Sequence, residues 1–360
     1  MGAGVVGAAV AYELSSRGAE VVIAETRAPG AGSTQAAAGM LAPWIEAHSG
    51  GLLELGEASV RRYDAFISRV TAESGLPVEY QRRGTLEVAF NAAQEAALEE
   101  AAARHAARGV PHAWLDAAAL YAVEPGLAPN AHAALLLPEQ GYVQASALTS
   151  ALIAAAGRRG AMCETGTKVT AIAPAGDGVV AHTAGGSIHA DTAVLAAGSW
   201  SGDSVFRPSA ATPVSPVRGQ LLHLMAAAPL ATRVLWGEDC YLVPWQDGSL
   251  LVGGTVEHVG FDERATEEGV EGLRRAAARL LPASADAELR AVRVGLRPGT
   301  PDHIPLIGRS AAAPNVVFAT GHYRNGVLLA PLTAGLVADL VLEGREGPEL
   351  AVTAPARFGL

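Results

Sequence analysis

Two cysteines in 360 residues, Cys163 and Cys240, form no CxxC pair. That excludes a disulfide framework and makes a reducing compartment, the cytoplasm, the expected setting. Charge is sparse too, at 17% of residues, and it leans acidic: 26 Lys+Arg stand against 36 Asp+Glu, for a net charge of −10. An acidic surface repels a phosphate backbone, which excludes nucleic acid as a partner. The ten histidines include no HExxH and no paired spacing suited to a metal ion. No metal is therefore expected, and His48, His223 and His258 read as ordinary surface or core residues. No tandem repeat and no low-complexity linker divides the chain. The most apolar late stretch, GVLLAPLTAGLVADLVL, contains Pro331 and Asp339 and is short for a membrane span. A secretory signal is excluded at the start, which lacks a basic leader and is interrupted by Glu13.

Half of the residues are hydrophobic, enough for a sizeable core, and their patterning is α/β. Residues 5–17 read as a helix and AEVVIAE as a buried parallel strand. PGAGSTQAAAGM reads as a loop running into a helix. Residues 52–74 read as one amphipathic helix, and VEYQRRGTLEVAF as two strands joined at Arg82–Gly84. Residues 92–109 read as a helix ending at a glycine, and LDAAALYAV as a short helix capped by Asp116. A second α/β stretch opens at GYVQASAL. Residues 214–260 are strand-rich, 264–281 helical, and AVRVGLRPG a strand ending in a loop. The chain closes with a strand, a glycine turn and a long apolar helix.

Five segments carry chemistry. Gly2-x-Gly4-x-x-Gly7 is a dinucleotide fingerprint: Gly2 for the tight turn, Gly4 for close approach to a pyrophosphate, Gly7 for helix packing. The acid that follows about 20 residues on, Glu25, is placed for ribose hydroxyls. This pattern alone leaves NAD and FAD both open. In GSTQAAAGM, small side chains let backbone N–H groups reach a ligand, and Ser33 and Thr34 can donate to phosphate oxygens. TAVLAAGSWS is a strand ending in small residues at Gly198, where backbone can lie against a flat ligand. GLRPGTPDHIPLIGR and ATGHYRNGVLLAP each put an arginine in a loop after an apolar strand, where open α/β sheets bind ligands. Arg297 and Arg324 are therefore candidate anion clamps.

These segments, together with STQAAAGML, GYVQASAL, PVRGQ and CYLVP, resemble the D-amino-acid-oxidase-like family of FAD enzymes over essentially the whole chain. Within it, the likeness leans to the bacterial glycine oxidases of thiamine biosynthesis. The resemblance implies an FAD-binding Rossmann-like domain of glutathione-reductase type (1–79, 141–205 and 291–360). It would be interleaved with an α+β substrate domain on a mainly antiparallel sheet (80–140 and 206–290). It implies noncovalent FAD. Val5, Val6, Glu25 and Thr26 match the adenosine-diphosphate end, Ser33 and Thr34 the pyrophosphate, and Val169 the adenine. Ala38, Gly39 and Met40 match the segment beside the flavin ring. His322, Tyr323, Arg324, Asn325, Gly326, Val327 and Leu328 match the loop at its O2 end, with His322 acting through its backbone.

Tyr241 and Arg297 match the pair that holds a substrate carboxylate, and Arg324 a third active-site position. The implied reaction is oxidative deamination of glycine by molecular oxygen, supplying iminoglycine for the thiazole of thiamine, in a homotetramer with no membrane partner. A sarcosine or D-amino acid oxidase or dehydrogenase, an NAD-dependent dehydrogenase and a non-catalytic flavin binder are the alternatives. Two departures stand out. Trp44 and Ile45 follow Met40 where a loop can line the entrance. No strand precedes the fingerprint, from which a functional start some residues upstream is expected.

Overall fold

The computed structural model describes residues 1–46, 50–202 and 212–360; His48 lies outside them. Its architecture is mixed α/β: a layer of short parallel strands and packed helices beside a large, mainly antiparallel sheet.

Helix α1 (Val5–Ser16) begins directly after the fingerprint and leads into strand β1 (Val22–Glu25). Nearly every residue of α1 is buried, because it is packed between strands on one side and helices on the other. Its run of Gly7, Ala8, Ala9 and Ala11 suits that setting, where an amphipathic stripe would not. The long helix Gly326–Glu343, the helix Ala145–Arg158 and the pair Gly50–Val60 and Tyr63–Ser74 share its core. The late apolar stretch thus forms an 18-residue core helix, most of it buried. β1 pairs in parallel with Met162–Thr165, and Ala193–Leu195 pairs in parallel with Val316–Thr320. Residues 1–3 join the two ladders. The Gly2 amide donates to the Ala24 carbonyl at 2.9 Å, and the Ala196 amide to the Met1 carbonyl at 2.9 Å.

The large sheet has eight strands, in the order Glu288–Gly299, Ser215–Met225, Ser249–Gly253, Tyr241–Pro244, Val234–Trp236, Thr85–Ala89, Ala133–Leu137 and Ala113–Asp116. Its two faces follow from period-two alternation. Leu222, Leu242, Leu250 and Val252 face the helix Glu267–Leu280, whereas Leu221, Tyr241, Val243 and Leu251 face Ala38 and Met40. Asp116 and Thr266 cap their helices, each accepting a backbone N–H three residues on.

Four elements differ from the sequence reading. Arg297 lies inside the strand Glu288–Gly299, paired with Val217, and not in a loop after it. Residues 52–74 fold as two helices that break at Arg61–Arg62, the first packed on the long core helix and the second on Ala145–Arg158. The strands flanking Arg82–Gly84 do not pair with each other. Tyr80–Gln81 joins Gly141–Val143, and Thr85–Ala89 enters the large sheet, so the chain changes sheets there. GSTQAAAGM forms no α-helix. A 3₁₀ turn at Ser33–Ala36 is followed by extended chain, with Met40–Leu41 paired to Gly141–Tyr142. Gly39 enforces this: its φ of 74° is left-handed, and its backbone lies hard against Val143. That local requirement overrides the helix propensity of three alanines.

Candidate active site

The fingerprint assembles one end of an elongated site. Gly7 admits no side chain, because a Cβ there would stand 2.0 Å from the Gly2 carbonyl oxygen. The turn is therefore pressed onto the helix start. Gly4, the N-cap of α1, lines the cavity and brings no side-chain acceptor of its own, so the positive end of the helix dipole lies beside it. Thr34 Oγ1 accepts the Val5 amide at 3.1 Å, which leaves its hydroxyl proton to donate. Glu25 accepts the Ala3 amide at 2.6 Å through Oε2 and the Arg27 amide at 2.7 Å through Oε1. Each oxygen retains a lone pair for a hydroxyl group.

These groups line a cavity of about 360 Å³ that contains Gly2, Gly4, Glu25, Thr26, Ser33 and Thr34, with Val169 and Gly198 opposite. Further side chains line it that the sequence reading did not single out, among them Arg27, Thr167, Lys168 and Trp200. Arg27 adjoins Thr26 and Lys168 adjoins Val169 in sequence, with Thr167 one residue further. Trp200 comes from the GSWS turn, and the Arg27 guanidinium lies 4.6 Å from its ring centroid.

A second cavity, of about 90 Å³, shares Ser33 and Thr34 with the first, so the two form one extended site. Val5, Ala38, Gly39 and Met40 form one wall, and Tyr323 through Leu328 another. Tyr323 is held in a left-handed conformation at φ 49°, with its ring stacked 4.9 Å from that of His303. The Arg324 guanidinium lies 5.6 Å from the Tyr323 ring centroid.

Tyr241 and Arg297 reach this cavity from the large sheet. A Cβ placed on Gly254 would stand 3.0 Å from both Arg297 Nη2 and the Tyr241 hydroxyl, so the two polar ends converge above that glycine. Trp236 stacks on the Tyr241 ring at 5.5 Å and fixes it. Gly219, Gly254 and Gly295 also line the cavity. Sequence reasoning passed over them, because glycine marks an open sheet face only once the register is known.

Val6, Gly7 and His322 line neither cavity. His322 is buried, with its Nε2 3.0 Å from Thr333 Oγ1. Burial pushes its pKa from 6.5 down to about 3. Below pH 6.5 the unfolded chain takes a proton that the folded imidazole refuses, so stability falls as pH falls toward 3. Between pH 6.5 and pH 5 the loss is about 2 kcal/mol. A plot of unfolding free energy against pH is expected to slope one proton less steeply over this range in His322→Gln than in the parent. Equal slopes would mean that His322 titrates normally. Trp44 and Ile45 also stand outside both cavities. Trp44 donates to Glu57 Oε1 at 3.0 Å, and Ile45 is buried beside Val110 and Leu137.

The donor set fits a flavin dinucleotide. A helix start at a glycine, two hydroxyls and a ribose-placed carboxylate serve the diphosphate end, and the small-residue wall Ala38–Gly39 serves the ring end. Sequence and structure comparisons agree. The DAO family, described as FAD dependent oxidoreductase, matches residues 1–340. The bifunctional protein ThiO/ThiG of Synechocystis is 36% identical over 99% of this chain and 53% of its own length. The chain therefore spans about half the length of the first curated relatives it matches. Glycine oxidase of Geobacillus kaustophilus is 35% identical over 95% of this chain and 91% of that protein. Its crystal structure superposes with a TM-score of 0.93, covering 98% of this chain and 96% of that one. Iminodiacetate oxidase from Chelativorans has a TM-score of 0.90 at 26% identity, covering 98% and 96%.

Proposed function

The chain belongs to the FAD dependent oxidoreductase family, and from that premise we propose that it is a glycine oxidase. It converts glycine, water and oxygen to glyoxylate, ammonia and hydrogen peroxide. The observation that carries this reading is the convergence of Tyr241 and Arg297 above Gly254, facing the Ala38–Met40 wall. In this reading 1–79, 141–205 and 291–360 form the cofactor-binding domain and 80–140 and 206–290 the substrate domain, and Arg297 reaches the substrate from the former.

Arg297 pairs with the substrate carboxylate, and the Tyr241 hydroxyl donates a further hydrogen bond. Two fixed contacts on one carboxylate set the direction of the Cα–H bond, which is catalysis by orientation. Bound FAD supplies the acceptor for the hydride that leaves Cα. Among the described residues lining this cavity there is no carboxylate and no imidazole, so the C–H step draws on the lone pair of a neutral substrate amine. The resulting imine is hydrolysed by water, or is captured as iminoglycine by a thiazole-forming enzyme. Both free cysteines accord with work in the cytoplasm.

The test is peroxide release with glycine, sarcosine and D-alanine side by side, together with acid precipitation of the yellow protein. Glycine turnover with one glyoxylate per peroxide is expected, and FAD is expected in the acid supernatant. Reduction of a dye without peroxide would indicate a dehydrogenase. Preference for sarcosine or D-alanine would favour the sister activities. Flavin retained in the pellet would overturn noncovalent binding.

A further inference from the structure

Arg297 is seated by the far side of the sheet. Its guanidinium lies flat on Gly219, where a Cβ would come within 2.2–2.3 Å of Nη1, Cζ and Nη2. Nη1 donates to the Thr255 carbonyl at 2.8 Å and, at 3.4 Å, to the Arg218 carbonyl. Nη2 is thereby turned toward Gly254 and Tyr241. Both accepting carbonyls belong to a polar cluster that does not line the substrate cavity.

Alternation along Ser215–Met225 puts Gly219 on the cofactor face and Arg218 and Gln220 on the opposite one. Arg218 is 4% exposed and Gln220 is fully buried. Arg218 Nε donates to Glu257 Oε2 at 2.9 Å, and its Nη1 lies 3.1 Å from Asp262 Oδ2. Gln220 Nε2 donates to Glu257 Oε1 and to Thr266 Oγ1, each at 2.8 Å. The Thr255 hydroxyl closes the cluster: it accepts the Gln220 amide at 2.9 Å and donates to Glu257 Oε1. Burial pushes the Glu257 carboxyl up, but hydrogen bonds from Gln220, Thr255 and Arg218 outweigh it and hold its pKa below the usual value. The residue therefore stays ionised opposite Arg218.

A hydroxyl and a carboxylate thus fix the orientation of the Thr255 peptide, and that peptide fixes the guanidinium. We infer that Thr255, Glu257, Arg218 and Gln220 form a hydrogen-bonded post that positions Arg297 for the substrate carboxylate. They act as positioning residues for binding, and none of them touches substrate. The inference rests on the reading of Arg297 as the clamp in the proposed glycine oxidase.

The test uses the FAD-loaded protein and two readouts. One is the Kd of glycolate, a carboxylate of glycine's size without the amine, followed by the change in flavin absorbance. The other is the split between KM and kcat for glycine. Thr255→Val removes the hydroxyl and keeps the carbonyl. It is expected to raise the glycolate Kd and the glycine KM about tenfold, with kcat within about twofold and flavin content unchanged. Thr255→Ser keeps the hydroxyl and is expected to stay within about twofold of the parent. Glu257→Gln is expected to repeat the loss more weakly, and it serves if Thr255→Val does not fold. In an Arg297→Ala background, Thr255→Val is expected to add nothing, because no guanidinium remains to be placed. A lowered melting temperature with unchanged glycolate affinity would overturn the post, as would full additivity with Arg297→Ala. Unchanged glycolate affinity in Arg297→Ala itself would overturn the clamp, and the post with it. A loss in Arg297→Ala but none in Thr255→Val or Glu257→Gln would overturn the post alone.

Discussion

Arg297→Ala is expected to lower kcat/KM for glycine by about 10²–10³-fold, mostly through KM, with flavin content unchanged. A guanidinium–carboxylate contact is a charge-assisted hydrogen bond worth about 1.5–3 kcal/mol. Two such bonds make a loss of about 3–4 kcal/mol reasonable once some of the binding is recovered by water. Orientation adds to this, because a carboxylate held only by Tyr241 can swing about one contact. Tyr241→Phe removes a single neutral donor, worth about 0.5–1.5 kcal/mol. Its ring keeps the stack on Trp236, so a loss of up to about tenfold is expected. Steady-state kinetics of both variants, with flavin-to-protein absorbance as the control, read the result. Unchanged glycine kinetics in Arg297→Ala would move the clamp elsewhere in the cavity, with Arg324 the next candidate.

Much of this site was legible in the residues because the cofactor is long and is met by backbone. A ligand held by loops leaves short runs of small residues after strands, and such runs survive in sequence as GxGxxG, AAAGM and AAGS. The structure brings them together along two joined cavities. What the sequence hid depends on register. Gly219, Gly254 and Gly295 look like any other strand glycines until antiparallel pairing sets Gly219 opposite Gly295. Arg218 and Gln220 flank one of them, yet they point to the other face and into a loop more than thirty residues away. No local pattern announces such a contact. The sequence places His322 in the flavin loop through its backbone; its ring turns away to Thr333 and it lines neither cavity. The break at Arg61–Arg62 was missed because apolar periodicity continues across it. Only the packing of two helices on different neighbours shows why the chain bends there.

Gly39→Ala is expected to cost about 3–5 kcal/mol, a large share of a typical stability of about 5–15 kcal/mol, and to release flavin as it does so. Two effects add at this position. A left-handed conformation costs a Cβ-bearing residue about 1–2 kcal/mol, and Gly39 sits at φ 74°. A Cβ there would also stand 1.8 Å from the Val143 carbonyl oxygen. That neighbour is backbone and cannot rotate aside. The Val143 amide donates to the Gly39 carbonyl at 2.9 Å, and Met40 pairs with Tyr142 next to it. Relieving the clash means lifting Ala38–Met40 off Gly141–Val143, and Ala38–Met40 is the wall of the smaller cavity. The same substitution at Gly157 sets the scale. Gly157 is exposed in the helix Ala145–Arg158, and nothing stands within 4 Å of its Cβ position. There alanine is expected to stabilise by about 0.4–1 kcal/mol. Thermal melts followed by flavin fluorescence would separate the two: early release of flavin in Gly39→Ala, none in Gly157→Ala. A Gly39→Ala protein that melts with the parent and keeps its flavin would mean that this wall can move without consequence. The tight turn at Gly39 would then not be what shapes the flavin end.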